Sequence, residues 1–298
     1  MGVEFTMTTS RQTRAIGSAA AAALLAAVLT GCGGGSAGSS DAGASGSPVA
    51  DKLADDPLTA VRNAPDITGH TGSVQAATQL TTVSGSKKAS FTGGGPYDYV
   101  KRIGRLEVQV PPGAATHGPV VEIYEPGLIF LQNSGAKGVA PGKWVRLDVR
   151  QLADGNLISN GATDPATAAA ALRGAQQAAV AGDETVDGIP LKHYKGTLDL
   201  AKAADAAGGQ AGYGLRMAAA TFTVKEVPFE AWLDAQGRLH RMIESFTFAG
   251  VAGSKDPKDQ VQVTSTVALS DYGTAVSVSE PAGGDVVELK DGGSASPK

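Results

Sequence analysis

The sequence predicts an α+β fold: a single curved antiparallel sheet, a half-barrel, with helices packed in its concave face. Three observations predict it. Apolar and polar residues alternate with a period of two over much of the chain, the pattern of strands with one face to a core and one to water. The turn signatures Asp187-Gly188 and Asp234-Ala235-Gln236-Gly237 lie between such runs and join them into hairpins. Helix signals are few and interrupt the run of strands rather than alternating with them.

The elements follow in chain order. Asp56-Pro57 sets a cap residue before a first-turn proline and opens a short helix over Pro57 to Asn63. Gly93-Gly94-Gly95 reads as a flexible hairpin turn before the aromatic strand that carries Tyr97 and Tyr99; a phosphate loop would need a helix there instead. Leu106, Val108 and Val110 alternate with Glu107 and Gln109, and Pro111-Pro112-Gly113 ends that strand. Val145, Leu147 and Val149 alternate with Arg146, Asp148 and Arg150. Asp164-Pro165 opens a second helix, expected to run to about Ala179. Asp187-Gly188 turns Glu184-Thr185-Val186 back into a strand from Leu191 to Leu200. A third helix covers Leu200 to about Ala206, glycines 208, 209, 212 and 214 interrupt it as a mobile loop, and Leu215 to Ala220 resumes it. Val227, Phe229, Ala231 and Leu233 form the next inward row, followed by a strand over Leu239 to Phe248. Val261, Val263, Val267 and Leu269 form the last row. Helices laid in the hollow of a curved sheet leave a gap between the layers in which an apolar ligand fits.

The N-terminus sets the compartment. Arg11 and Arg14 precede an apolar run from Ala15 to Leu29, and small residues then lead to Cys32, the only cysteine in 298 residues. The run is about 15 residues, short of the roughly 20 that a membrane-spanning helix needs. Leu29-Thr30-Gly31-Cys32 resembles the lipobox of bacterial lipoproteins, which are cut before the cysteine and diacylated on its sulfur. The resemblance implies a signal peptide over residues 1–31 and a lipidated Cys32; by composition a flexible Gly/Ser/Ala linker follows to residue 50, then a domain over 51–290 and a disordered tail over 291–298. The alternatives are an ordinary secretory signal with a chance cysteine, or a buried core cysteine. Two acyl chains hold a protein on a membrane stably where one does not. The expected location is therefore extracytoplasmic, on the cell membrane.

Composition excludes several classes. The formal charge is −4, and removal of Glu4, Arg11 and Arg14 with the leader takes it to −5. An acidic chain with no basic cluster is not built for nucleic acid. With Cys32 acylated, no thiol is left for a disulfide or a thiolate metal site. The mature length allows one domain of about 230 residues, or two small ones. His70, His117, His193 and His240 are scattered, with no ligand spacing among them, so neither a metal nor a cofactor is expected. No G-x-S-x-G elbow occurs and the carboxylates stand singly, so no catalytic residue is assigned.

Gly142-Lys143-Trp144-Val145, the Asp164-Pro165 helix start, the hairpin from Asp187 to Gly196 and the segment from Phe229 to Leu239 come in an order that resembles the LppX/LprG-type actinobacterial lipoproteins and, more distantly, the LolA-like lipoprotein-carrier fold. That resemblance implies a membrane-tethered envelope module holding lipid or acyl chains, with lipid transfer as its use. The same fold serves in partner-binding regulators, so a sensor or protein-interaction module stays open as the alternative. Trp144 and Trp232 sit opposite the aliphatic rows of their own strands and are expected to line the cavity or face a protein partner, with ordinary sheet packing as the alternative. The Gly208 to Gly214 loop is the expected lid.

Overall fold

The computed structural model describes residues 50–111, 118–152, 154–158, 163–248, 260–290 and 294–295. The first helix, α1 (Pro57–His70), is capped by Asp56, whose carboxylate accepts the Thr59 N–H at 2.8 Å. It runs seven residues past the expected end at Asn63 and straight through Pro65. The buried stripe Ala60, Val61, Ala64, Ile67 and Thr68 explains this: burying a second turn outweighs the one hydrogen bond that proline removes.

Five strands follow: β1 (Ser73–Ser84), β2 (Lys87–Asp98), β3 (Ile103–Gln109), β4 (Val120–Glu125) and β5 (Leu128–Gln132). Then comes β6 (Trp144–Asp148). Gly93-Gly94-Gly95 is not a turn but the middle of β2, where it pairs with Thr78, Ala77 and Ala76 of β1. Pairing on both sides holds these glycines extended, against a local preference that is weak. The second helix, α2 (Pro165–Ala171), stops well short of Ala179. A short 3-10 turn ends at Gly174 and the chain enters β7 (Ala175–Val186). Alanine tolerates either state, and the ladder to β8 (Ile189–Asp199) decides for strand. The β7–β8 turn is the expected one, with Asp187 and Gly188 both at positive φ, 50° and 80°.

The third helix, α3 (Leu200–Ala207), is where it was expected. The glycine-rich stretch behind it is no loop: Gly209–Thr221 is helical, α4. Its glycines permit close contact. A Cβ on Gly212 would lie 2.5 Å from the Ala204 carbonyl oxygen of α3, and one on Gly214 would lie 3.0 Å from the Gly155 oxygen. The lid assigned to this stretch is therefore withdrawn, because its backbone is packed against two neighbours. After it come β9 (Glu226–Leu233), β10 (Leu239–Phe248), β11 (Val261–Ser270), β12 (Val286–Lys290) and the two-residue β13 (Ser294–Ala295).

All strands join one sheet in the order β13-β12-β6-β5-β4-β3-β2-β1-β11-β10-β9-β8-β7. Its two end strands do not pair, so the sheet stays open, a curved half-barrel. It is antiparallel but for one edge: β12 runs parallel to β6, with Val286 opposite Trp144. The sheet is thus mixed at that edge and antiparallel elsewhere, in the half-barrel layout expected. The helices lie on one face. α1 packs on β7 and β10, α3 on β8, and α2 touches α1, α3 and α4. All seven residues of α2 are buried, which is why it is nearly all alanine: small side chains let it lie close to its neighbours all round. The main core joins inward residues of β1 to β6 and β8 to β11, among them Val74, Leu106, Ile129, Phe229 and Leu269, to Leu172, Leu200 and Leu215 of the helical layer.

Candidate functional site

The candidate site lies on the helix-covered face of the sheet, where buried polar groups interrupt the apolar packing. A second apolar cluster of Leu80, Val261 and Val263 adjoins the main core: Phe91 and Ile158 pack against both, and Val263 lies opposite Phe246 of the main core. Register places polar side chains among these apolar ones. Ser265 of β11 lies between Leu80 of β1 and Glu244 of β10. The Ser265 hydroxyl lies 2.6 Å from that of Thr163, just ahead of α2. Glu244 follows Met242 and precedes Phe246 on the same inward row, and Phe229 of β9 faces it. Its side chain is buried, with the residue 1 % exposed. Neither of its carboxyl oxygens has a hydrogen-bond partner among the described residues. The Thr78 hydroxyl, on the inward row of β1, is likewise buried and unpartnered.

A second polar group sits across the same face. Asp164 caps α2, accepting from the Ala166 N–H at 3.1 Å and from the Thr167 hydroxyl at 2.6 Å, with the Arg102 guanidinium 3.5 Å away. Around it stand Tyr97, Tyr99 and Tyr124, with Tyr97 edge-to-face against both of the others. The Tyr124 hydroxyl donates to Glu122, whose other carboxyl oxygen has no partner among the described residues.

Burial sets the protonation of both glutamates. It alone pushes Glu244 up to about 8. Burial also takes Glu122 to about 8, opposed by the Tyr124 hydrogen bond and reinforced by Asp164. An unfolded glutamate titrates near 4.3, so between about 4.3 and 8 the folded chain holds protons that the unfolded chain releases. Stability therefore falls as pH rises through that window and levels off above it. Glu244→Gln is expected to remove one group's share of this slope, at most about 1.4 kcal/mol per pH unit. Thermal unfolding across the window checks it: the variant should melt higher than the parent at about pH 8 and level with it near pH 4.

The sequence-predicted residues fall elsewhere. Trp232 lies on β9 beside Ala231 and Leu233, but on the face away from the main core. It is nonetheless 4 % exposed. His193 of β8 stacks on its indole at 4.0 Å, and the Arg241 guanidinium of β10 lies 4.8 Å from its ring centre. His193 is fixed in turn by Glu230, 2.8 Å from Nε2, and Glu184, 3.4 Å from Nδ1. Trp144 is half-buried at the start of β6, opposite Gln132 and Val286, also off the main core face. The structure does not bring the two tryptophans together: β6 and β9 are far apart in the strand order. Cys32 and His117 lie outside the described residues, as does the linker up to residue 49. His240 is held by Asp234 at 3.0 Å and His70 by Asp51 at 2.7 Å. Among the described residues, no group of three or more His, Cys, Asp or Glu is placed to hold a metal ion, and no helix is long and apolar enough to cross a membrane.

Glu244, Glu122 and Ser265 escape a reading that looks only for motifs. A signal for them does exist in the chain: each interrupts an inward apolar row at period two, Ser265 between Val263 and Val267, Glu244 between Met242 and Phe246.

No protein-family model and no curated protein matches this chain. Among solved structures it is similar to LprF from Mycobacterium bovis, at 16 % identity and TM-score 0.41, over 78 % of this chain and 100 % of that one. It is similar to the lipoprotein LppX from Mycobacterium tuberculosis, at 14 % identity and TM-score 0.43, over 74 % and 97 %. A LolA superfamily protein from Nitrosomonas europaea matches at 12 % identity and TM-score 0.32, over 73 % and 95 %.

Proposed function

We propose that this chain is a non-enzymatic envelope lipoprotein that shelters an apolar ligand, a lipid or its acyl chains, between the curved sheet and its helices. The single observation that carries the reading is that buried polar groups interrupt the apolar packing of the covered face: the Glu244 carboxyl, one oxygen of Glu122 and the Thr78 hydroxyl, which the described residues leave unpartnered. A sheet and helix layer evolved only to pack would fill those positions with aliphatic side chains. Hydrocarbon placed there gains about 0.8 kcal/mol per buried methylene, so a chain of about 16 carbons gains on the order of 12 kcal/mol before ordering costs. The domain is taken to span residues 51–290, moored through acylated Cys32 at its mature N-terminus, with residues 32–50 as tether and 291–298 as tail. Lipid transfer is the use that this arrangement suits.

Native mass spectrometry of the full chain, extracted from its own membrane in mild detergent, tests the reading. An apolar mass co-purifying with the folded chain is expected. A bare chain would refute it. Cys32→Ser is expected to move most of the protein from the membrane pellet to the soluble fraction; a variant still partitioning with membranes would overturn the anchor.

One observation favours the second reading, a protein-interaction module. β7 is a free edge of the sheet, and Val180, Val186 and Ile189 at the β7–β8 hairpin are exposed. A bare chain in the mass spectrum would leave that reading standing in place of the first.

A further inference from the structure

We propose that the Glu244 carboxyl, beside the Thr163–Ser265 hydroxyl pair, is a ligand-reading subsite that takes an uncharged hydroxyl or ester oxygen of an otherwise apolar molecule and turns away anionic groups. The inference rests on the apolar-ligand reading above and adds to it what the ligand must carry.

Each of the other buried carboxylates in this region has at least one partner, Glu122 the Tyr124 hydroxyl at one of its two oxygens. Asp164 caps α2, and Asp98 accepts the N–H groups of Val100 and Lys101. Asp234 accepts the N–H groups of Gln236 and Arg238. Glu244 caps nothing and has no cation opposite it: both oxygens are buried and partnerless among the described residues. The basic residue nearest in its own strand, Arg241, points to the other face, over Trp232. A buried carboxyl left without a partner costs about 1–3 kcal/mol. A partner supplied by a ligand recovers that loss. Met242, Phe246 and Phe229 around Glu244 are apolar, so the rest of the ligand at this point is hydrocarbon. The protonated acid that burial favours offers one O–H donor and one carbonyl acceptor, which suits an alcohol or an ester. An anionic group in the same place would sit beside a second acid with no counter-charge, in a medium that screens poorly.

The test uses the full chain, its Glu244→Gln and Glu244→Leu variants, and the neutral apolar dye N-phenyl-1-naphthylamine, displaced at neutral pH by chain-matched hexadecanol or palmitate. The parent is expected to take hexadecanol about tenfold more tightly than palmitate, the size of one net hydrogen bond. Glu244→Leu should bind the dye as before, weaken hexadecanol about tenfold and lose the preference. Glu244→Gln should keep hexadecanol and gain palmitate, because an amide donates to a carboxylate and carries no charge. Dye binding with an unchanged alcohol-to-acid ratio in Glu244→Leu, or a Glu244→Gln variant that still refuses palmitate, would overturn the subsite and leave the apolar-ligand reading intact. Dye binding by none of the three, each folded by circular dichroism, would overturn both.

Discussion

Replacing Gly196 by alanine is expected to destabilise the domain by about 3 kcal/mol or more, a fall of roughly 6–12 °C in Tm for a domain of this size. Gly196 lies on β8, opposite Ala178 of β7 and Phe229 of β9. A Cβ there would stand 1.9 Å from the Gln177 carbonyl oxygen and 2.8 Å from Cζ of Phe229. The carbonyl belongs to backbone in a paired strand and cannot swing aside as a side-chain tip would. The strands must part, and the ring that covers the glycine must leave the main core with them. Gly69→Ala is the control: it lies in α1, and a Cβ there meets nothing within 4 Å. That change is expected to be neutral or stabilising by up to about 1 kcal/mol. Chemical denaturation of the two variants side by side checks both, and equal midpoints would overturn the close approach.

Asp234→Ala is expected to cost about 3–5 kcal/mol, because it leaves other buried groups without their partner. One carboxylate serves four donors at the β9–β10 turn: the N–H groups of Gln236 and Arg238, Nε of Arg238 at 2.7 Å and the His240 ring at 3.0 Å. Burial by itself would raise its affinity for a proton, but the hydrogen bonds from His240 and Arg238, with the Arg238 charge, hold it below the usual carboxylate range. With the folded value depressed, the contribution is fully present above the unfolded value of about 3.9 and is lost as pH falls through the folded one. Asp234→Asn should keep one backbone acceptor, lose the ion pair, and flatten that acid limb. Urea midpoints at neutral and acid pH separate the two effects. An acid limb unchanged in Asp234→Asn would overturn the assignment.

The legible parts of the chain are those where local chemistry and tertiary demand agree. The rows Leu106/Val108, Phe229/Ala231/Leu233 and Val261 to Leu269 lie in β3, β9 and β11 as their period requires. Asp56, Asp164 and Asp199 each accept a backbone N–H at the start of a helix, the last at α3, which opens where it was expected. Misreadings fall where residues are locally indifferent. Ala175 to Val180 suits either state until β8 pairs with it, and the glycines of α4 look like a break until α3 is seen to need their small size. Trp232 shows the same limit at the level of a side chain. Its strand position predicts a face away from the main core, yet only neighbouring strands supply the His193 and Arg241 that cover it.

By itself the sequence determined the class of fold, the caps and the hairpin turns, since each is fixed by residues a few positions apart. Only the tertiary structure decided that twelve longer strands and one short one make a single open sheet, that β12 returns parallel to β6, and that Glu244 and Ser265 meet across β10 and β11. The physical reason is sequence distance. A cap or a turn acts between near neighbours, whereas a buried carboxyl acquires its altered protonation from apolar side chains that the chain carries in from elsewhere.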